Sequence, residues 1–329
     1  MFICRVRANL FLFLFLYGWA TISASAQHRF CKQQTLVLKN ASQQWLCSEL
    51  KKVNPTYFNC DNALWQLPKP GVFPICNDSL ELSPELVKCF QDIWFPQGDC
   101  KRFLSILAMA DVYMPLFKHK AELLQLHDNV AFFPIVLSGC NQQFSKGDCS
   151  GLWAMPETAA SKYGLRVDSL VDERRGGDFT TDAALHWIHD MWKSHDGNYK
   201  ELLRKIELSS YKSTSKKQRK QEPLLAAFLA YTIRLFESAH CVNQLNYCFD
   251  ILGQYQPIII QNALTIKALV DVLGIDEKNL RAVNPVYTGE WLVPGYRRVP
   301  FVLENADAVR FNTMRSVWEK KSANRKGRK

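Results

Sequence analysis

The chain has 329 residues, 47% of them hydrophobic, which is enough for one large domain with one or two small ones. Its 41 Lys and Arg outnumber 31 Asp and Glu. The surplus does not point to nucleic acid, because the chain opens with an export signal and the excess charge sits largely in one loop and a tail. Arg5 and Arg7 form a basic head, the apolar run Leu10–Ile22 follows, and Ala24-Ser25-Ala26 is a small-residue cleavage site before Gln27. That run is too short to cross a bilayer's apolar core comfortably, and no later stretch is long and apolar enough to do so. The expected product of residues 27–329 is exported and is not an integral membrane protein.

Removal of residues 1–26 takes Cys4 with it and leaves an even number of cysteines. In an exported chain this argues for disulfides rather than metal or redox chemistry. The short-range candidates are Cys89 with Cys100, Cys140 with Cys149, and Cys241 with Cys248. No metal and no cofactor is expected. His186, His189 and His195 lie near one another in sequence but lack a third ligand at suitable spacing, and they read as surface histidines.

In chain order, "TLVLKNASQQWLCS" in the N-terminal region (27–81) predicts a strand and a single helix. From Leu82 to about residue 250 the pattern is mainly helical. "PELVKCFQDIW" starts a helix with Ser83 as cap and Pro84 in the first turn. "CKRFLSILAMADVYMPLFKHKAELLQ" places Phe103, Leu104, Leu107, Ala108, Val112 and Leu116 near the helical period. "TTDAALHWIHDMWKSH" predicts a helix capped by Thr and Asp, and "EPLLAAFLAYTIRLFES" is apolar nearly all round, as a buried helix is. Between these, residues 209–221 carry five Lys or Arg and no acid. They read as a solvated loop, with an anionic surface as the functional alternative. Residues 255–303 give strand, helix, helix and returning strand, and 304–329 a basic tail.

The 255–303 unit, with its leucine followed by Asn284-Pro285, resembles a LysM module. The resemblance implies a shallow groove for N-acetylglucosamine-containing glycans at Asn284, Pro285 and Tyr287. "ELKKVNPTYFNCDNALWQLPKPGVFPI" (Glu49–Ile75) parallels "NLRAVNPVYTGEWLVPGYRRVPFVL" (Asn279–Leu303), so the N-terminal region reads either as an abbreviated copy of the same unit or as a shared turn.

The central region, Leu82 to about Ala239, resembles the lytic murein transglycosylases with a goose-type-lysozyme-like fold, most closely the membrane-bound transglycosylase D group. The residues that carry this are "DVYMPLFKHKAELLQLHDNVAFFPIVLSG", "GLWAMPETAASKYGL" and "VDERRGGDFTTDAALHWIHDMW", in the family's order and near its spacing. The expected fold class is therefore mainly α: a lysozyme-like helical domain (82–250) and a small α+β LysM-like domain.

The resemblance also implies chemistry that this chain departs from. The family uses one glutamic acid to protonate the glycosidic oxygen between MurNAc and GlcNAc and then to deprotonate the 6-hydroxyl. That dual role needs a carboxyl of raised pKa in a water-poor cleft. Here the matching position is Leu137, directly before Ser138. Ala154 stands where the family has a glutamine, and Ile206, Glu207 and Ser209 stand for tyrosine, asparagine and glycine. Ser138, Trp153, Ala154 and Tyr163 would line the glycan cleft, with Trp153 and Tyr163 as stacking candidates or as buried structural aromatics. Asp148 and Glu157 are the nearest acids that could take over, Glu207 a further one, while Asp172 and Glu173 belong to the Asp-x-Arg-like segment.

The expectation is a non-catalytic, transglycosylase-like protein of the bacterial periplasm or envelope that holds peptidoglycan or positions envelope proteins. The alternatives are an active enzyme with a relocated acid and a protein-interaction subunit that does not touch glycan.

Overall fold

The computed structural model describes residues 24–53, 66–211, 224–239 and 253–314. Outside them lie the basic head and apolar run of the expected export signal, the echo's Asn-Pro at 54–55, the Cys241–Cys248 candidate, and the segments 212–223 and 315–329. The described chain is mainly helical with small antiparallel sheets.

The helical body opens with α1 (Ala24–Ala41) and α2 (Trp45–Val53). Here the structure corrects the expected strand at "TLVLK", which is the interior of α1. Phe30, Gln34, Val37, Leu38 and Ala41 fall on one helical face and are all buried, the four apolar ones in the same core as the rest of the body. A hairpin follows, β1 (Gly71–Ile75) with β2 (Asp78–Leu82), Phe73 opposite Leu80. β1 therefore pairs with the strand after it, which an abbreviated strand–helix–strand repeat would not require.

α3 (Pro84–Trp94) begins as its sequence requires, with the Ser83 hydroxyl accepting from the Leu86 N–H. Its apolar face, Leu86, Val87, Phe90, Ile93 and Trp94, is buried. α4 (Lys101–Leu123) runs past Pro115, and α5 (Phe133–Ser138) is a short, wholly buried helix. It stops at Gly139, whose φ of 66° is left-handed and whose Cβ would lie 2.3 Å from that of Ala41. Three two-residue strands follow, β3 (Ser145–Lys146), β4 (Cys149–Ser150) and β5 (Met155–Pro156), then α6 (Glu157–Lys162) and α7 (Asp178–Lys193).

α7 starts ahead of the expected Thr cap. Gly177 holds the cap position without a side-chain bond, and Thr180 and Thr181 instead donate to the carbonyls of Glu173 and Gly177. α8 (Tyr199–Tyr211) reaches into the stretch expected as a loop from 209. α9 (Leu224–Ser238) is buried on nearly every side. Its Phe228 stacks on Trp94 at 5.9 Å and meets Phe90 edge-on at 5.2 Å.

The C-terminal unit contains β6 (Tyr255–Ile258), β7 (Leu264–Thr265), α10 (Ile266–Leu273), α11 (Glu277–Val283), β8 (Trp291–Leu292) and β9 (Phe301–Glu304). The expected strand–helix–helix–strand order is present, and β6 pairs antiparallel with the returning β9. Thr265 and Asp276 cap the two helices through the N–H groups of Ala268 and Asn279. α12 (Asn305–Thr313) stands where a tail was expected, because Ala308 and Phe311, one turn apart, are buried in this unit's core.

Two disulfide expectations are corrected. Cys89 bonds to Cys31 across 58 residues, since α1 packs along α3, and not to Cys100, which is disulfide-bonded separately. Cys140 and Cys149 are both buried thiols rather than a bridge. Closing a loop of this length removes unfolded-state entropy of roughly 4 kcal/mol. The Cys31→Ser/Cys89→Ser variant is expected to fold and to melt about 6 °C lower by calorimetry, given the usual entropy of unfolding at this size.

Candidate binding cleft

Residues 171–175, Val-Asp-Glu-Arg-Arg, join the helical body to the C-terminal unit. Val171 is buried in the C-terminal core. The Asp172 N–H donates to the Val286 carbonyl at 2.8 Å. The Asp172 carboxylate takes the Arg174 guanidinium as a fork, with Nε to Oδ1 at 2.8 Å and Nη2 to Oδ2 at 2.9 Å. Burial alone would raise the Asp172 carboxyl, but its bonds to Arg174 and the charge of Arg175 prevail and hold it below its ordinary value. The Arg174 Nη1 donates onward to the carbonyls of Asp148 and Met155, which pins the β3–β5 segment. Gly151 is obligatory here, because a Cβ on it would sit 1.7 Å from the Arg174 carbonyl oxygen.

Glu173, 1% exposed, is the tie across the boundary. Its carboxylate accepts from the Tyr296 hydroxyl at 2.8 Å, the Arg298 Nη1 at 2.9 Å and the Arg166 N–H at 2.7 Å. The Arg298 guanidinium also lies 4.7 Å over the Phe179 ring.

Beside this junction is a cavity of about 470 Å³, a volume in the range of small-molecule sites. One wall is helical: Met109, Val112 and Tyr113, one face of α4, with Gln44, Trp45 and Leu46 at the start of α2. Gln142, Gln143 and Arg175–Gly177 complete that side. The opposite wall is the end of α11 and the approach to β9: Ala282, Val283, Pro285, Val286, Val299, Pro300 and Val302. Tyr255 also lines it and meets Trp45 edge-to-face at 5.6 Å. Burial, with the nearby carboxylates of Glu304 and Glu49, pushes the Tyr255 phenol up to about 12, so it remains a hydroxyl donor. None of the described residues lining the cavity is a carboxylate.

The residues singled out from the sequence do not assemble there. Leu137 is 7% exposed and sits in the helical core. The Ser138 hydroxyl donates to the Pro134 and Leu152 carbonyls, binding α5 to the Gly-Leu-Trp segment. Trp153 is fully buried, its Nε1 donating to Thr181 Oγ1 at 3.1 Å and its ring edge-on to Phe117 at 5.0 Å. It is therefore a core side chain with no face for a sugar. Ala154 is buried with a left-handed φ of 45°. Tyr163 is half-buried and donates to Asp190 Oδ2 at 2.7 Å. Asp148 and Glu157 are exposed, without the burial that prepares a general acid.

Of the expected groove, Pro285 lines the cavity. Asn284 is a clip: its Nδ2 donates to the Leu280 and Val302 carbonyls and its Oδ1 accepts from the Val302 N–H. Tyr287 is buried and donates to the Val299 carbonyl. The Nδ1 atoms of His186 and His195 bond to the carbonyls of Asp182 and Met191. Among the described residues no group of three or more His, Cys, Asp or Glu is arranged to hold a metal ion. No described helix is long and apolar enough to cross a membrane.

Trp45, Tyr113 and Tyr255 went unrecognised as cavity residues. Tyr113 shares a helical face with Met109 and Val112, which reads equally as core. The wall that completes the site comes from residues 282–302, a proximity no local pattern carries. No family model matches the chain, and no curated protein matches it either.

Glu207 lies away from this cavity. Burial pushes its carboxyl up to about 7, opposed by the Leu225 N–H, which donates to it at 3.0 Å, and by Arg204. Because the folded protein holds this proton more tightly than the unfolded chain, stability falls as pH rises from about 4.5 to about 7 and is level above that. Glu207→Gln is expected to remove that slope, measured as urea-unfolding free energy at pH 5 and pH 8.

Proposed function

We propose that the protein is a non-catalytic, transglycosylase-like protein of the cell envelope that is exported and binds peptidoglycan or a related N-acetylglucosamine-containing glycan. Its helical body corresponds in this reading to the lysozyme-like domain and residues 255–303 to a LysM-like unit. The observation that carries the proposal is the position of Leu137. The residue matching the family's acid is apolar and packed in the core, and the described residues lining the cleft between the two units include no carboxylate. A glycosidic bond cleaved without general acid catalysis forgoes roughly 10²- to 10⁴-fold in rate. A relocated acid at Asp148 or Glu157 is disfavoured because both are exposed.

Aromatic Trp45, Tyr113 and Tyr255 and the amides of Gln44, Gln142 and Gln143 suit the apolar faces and the hydroxyl and N-acetyl groups of amino sugars. Scaffolding of envelope proteins is compatible with the same surface.

Incubation of the purified protein with peptidoglycan is expected to release no soluble anhydro-muropeptides by mass spectrometry, while the protein co-sediments with the insoluble glycan at moderate salt. Release by the wild type that disappears in Asp148→Asn or Glu157→Gln would instead show an active enzyme. Failure to co-sediment would favour a pure protein-interaction subunit. Leu137→Glu is expected to lower stability by at least 2 kcal/mol, the cost of forcing a carboxyl into the core, without creating activity.

A further inference from the structure

The cleft belongs to neither unit alone. Its helical wall and its C-terminal wall rest on separate hydrophobic cores. Among the described residues the densest polar contact between them is at residues 164–173 and 286–298, with Gln143 to the Arg281 carbonyl and Trp45 against Tyr255 as further contacts along the cleft. The Gly289 N–H donates to the Leu170 carbonyl at 3.0 Å, next to the Asp172-to-Val286 bond. The backbones approach so closely there that a Cβ on Gly289 would lie 2.4 Å from the Ser169 carbonyl oxygen and 2.8 Å from the Leu170 Cα. The Arg166 guanidinium lies over the Tyr296 ring at 5.6 Å, so both Tyr296 and Arg298 meet the helical body through charge and through aromatic faces.

Glu173, Gly289, Tyr296 and Arg298 do not line the cavity, whereas Val286, three residues before Gly289, does. A change at these positions can alter the cleft only by moving one wall relative to the other. Among the described lining residues Arg175 is the one that carries charge, and it is already engaged by Asp172 at 3.5 Å and by Ser150 Oγ at 3.2 Å. An uncharged amphipathic sugar therefore suits the space better than a charged polymer.

We infer that Glu173 and Gly289 are positioning residues that hold the C-terminal unit as a fixed wall of the site, so that N-acetylglucosamine oligomers bind only while the unit is docked. The inference rests on the glycan reading above. It differs from a tethered module that binds by itself: here the affinity resides in the spacing between two walls.

The test titrates chitotetraose calorimetrically into the full exported chain and into Gly289→Val, Arg298→Ala, Arg298→Lys and Trp45→Ala. Amide hydrogen exchange is followed at Asp172 and Gly289. Gly289→Val and Arg298→Ala are expected to bind at least tenfold more weakly, and Arg298→Lys to recover part of the loss. In both weakened variants the Asp172 and Gly289 amides should exchange faster while those of Ala184–Ile188 in α7 stay protected, which separates undocking from unfolding. Trp45→Ala should lose affinity with exchange at the junction unchanged.

Undiminished binding in Gly289→Val and Arg298→Ala, with Trp45→Ala still weakened, would overturn the docking requirement and leave the glycan reading standing. Unchanged exchange at Asp172 and Gly289 in those two variants would overturn the role of the junction. No binding of the tetrasaccharide by the wild type would overturn the glycan reading together with the inference built on it.

Discussion

Burying Glu173 is tolerable only because three donors meet its two oxygens, and two of the three come from the C-terminal unit. A buried carboxylate costs several kcal/mol to desolvate, which good geometry and full hydrogen bonding must offset. If the C-terminal unit moves away, Glu173 loses Tyr296 and Arg298 together. The neighbouring Asp172–Arg174 fork has the same character, because the Arg174 Nη1 group donates to the backbone carbonyls of Asp148 and Met155. Five consecutive residues thus tie α7, the β3–β5 segment and the C-terminal core to one another. The cleft is a consequence of that tie.

The same dependence bears on chemistry. The position where the resemblance requires an acid is a core leucine, and Ser138 and Trp153 beside it spend their polar atoms on the Leu152 carbonyl and on Thr181. Ser138 joins α5 to the Gly-Leu-Trp segment and Trp153 joins that segment to α7, so both stabilise the scaffold. The described residues lining the cleft are aromatic, aliphatic and amide side chains, the backbone of Gly176 and Gly177, and Arg175, which Asp172 and Ser150 engage. Such a lining can hold a ligand, but its described residues include no Asp, Glu, His or Cys to take up or release a proton near neutral pH.

The helices were legible wherever a local signal was complete. Ser83-Pro84 announced α3, and the apolar circumference of residues 224–238 announced α9. The strand expected at "TLVLK" failed because five apolar-flanked residues fit either period. Only the wider spacing from Phe30 to Ala41 identifies the helix. The Cys31–Cys89 bridge, the Glu173–Arg298 pair and the two-walled cleft share one property: their members lie far apart in the chain. No turn, cap or periodicity encodes such contacts. Trp153 shows the reverse limit, since a residue type suited to sugar stacking is just as well suited to a core.

The most direct measurement is a double-mutant cycle on Glu173→Gln and Arg298→Met, read as urea-unfolding free energies of the wild type, each single variant and the double variant. With Glu173 buried and Arg298 44% exposed, the contact predicts a coupling of about 1 kcal/mol, the double variant costing less than the sum of the two single changes. A coupling indistinguishable from zero, as for an exposed surface ion pair, would contradict the account that this buried glutamate holds the two units together.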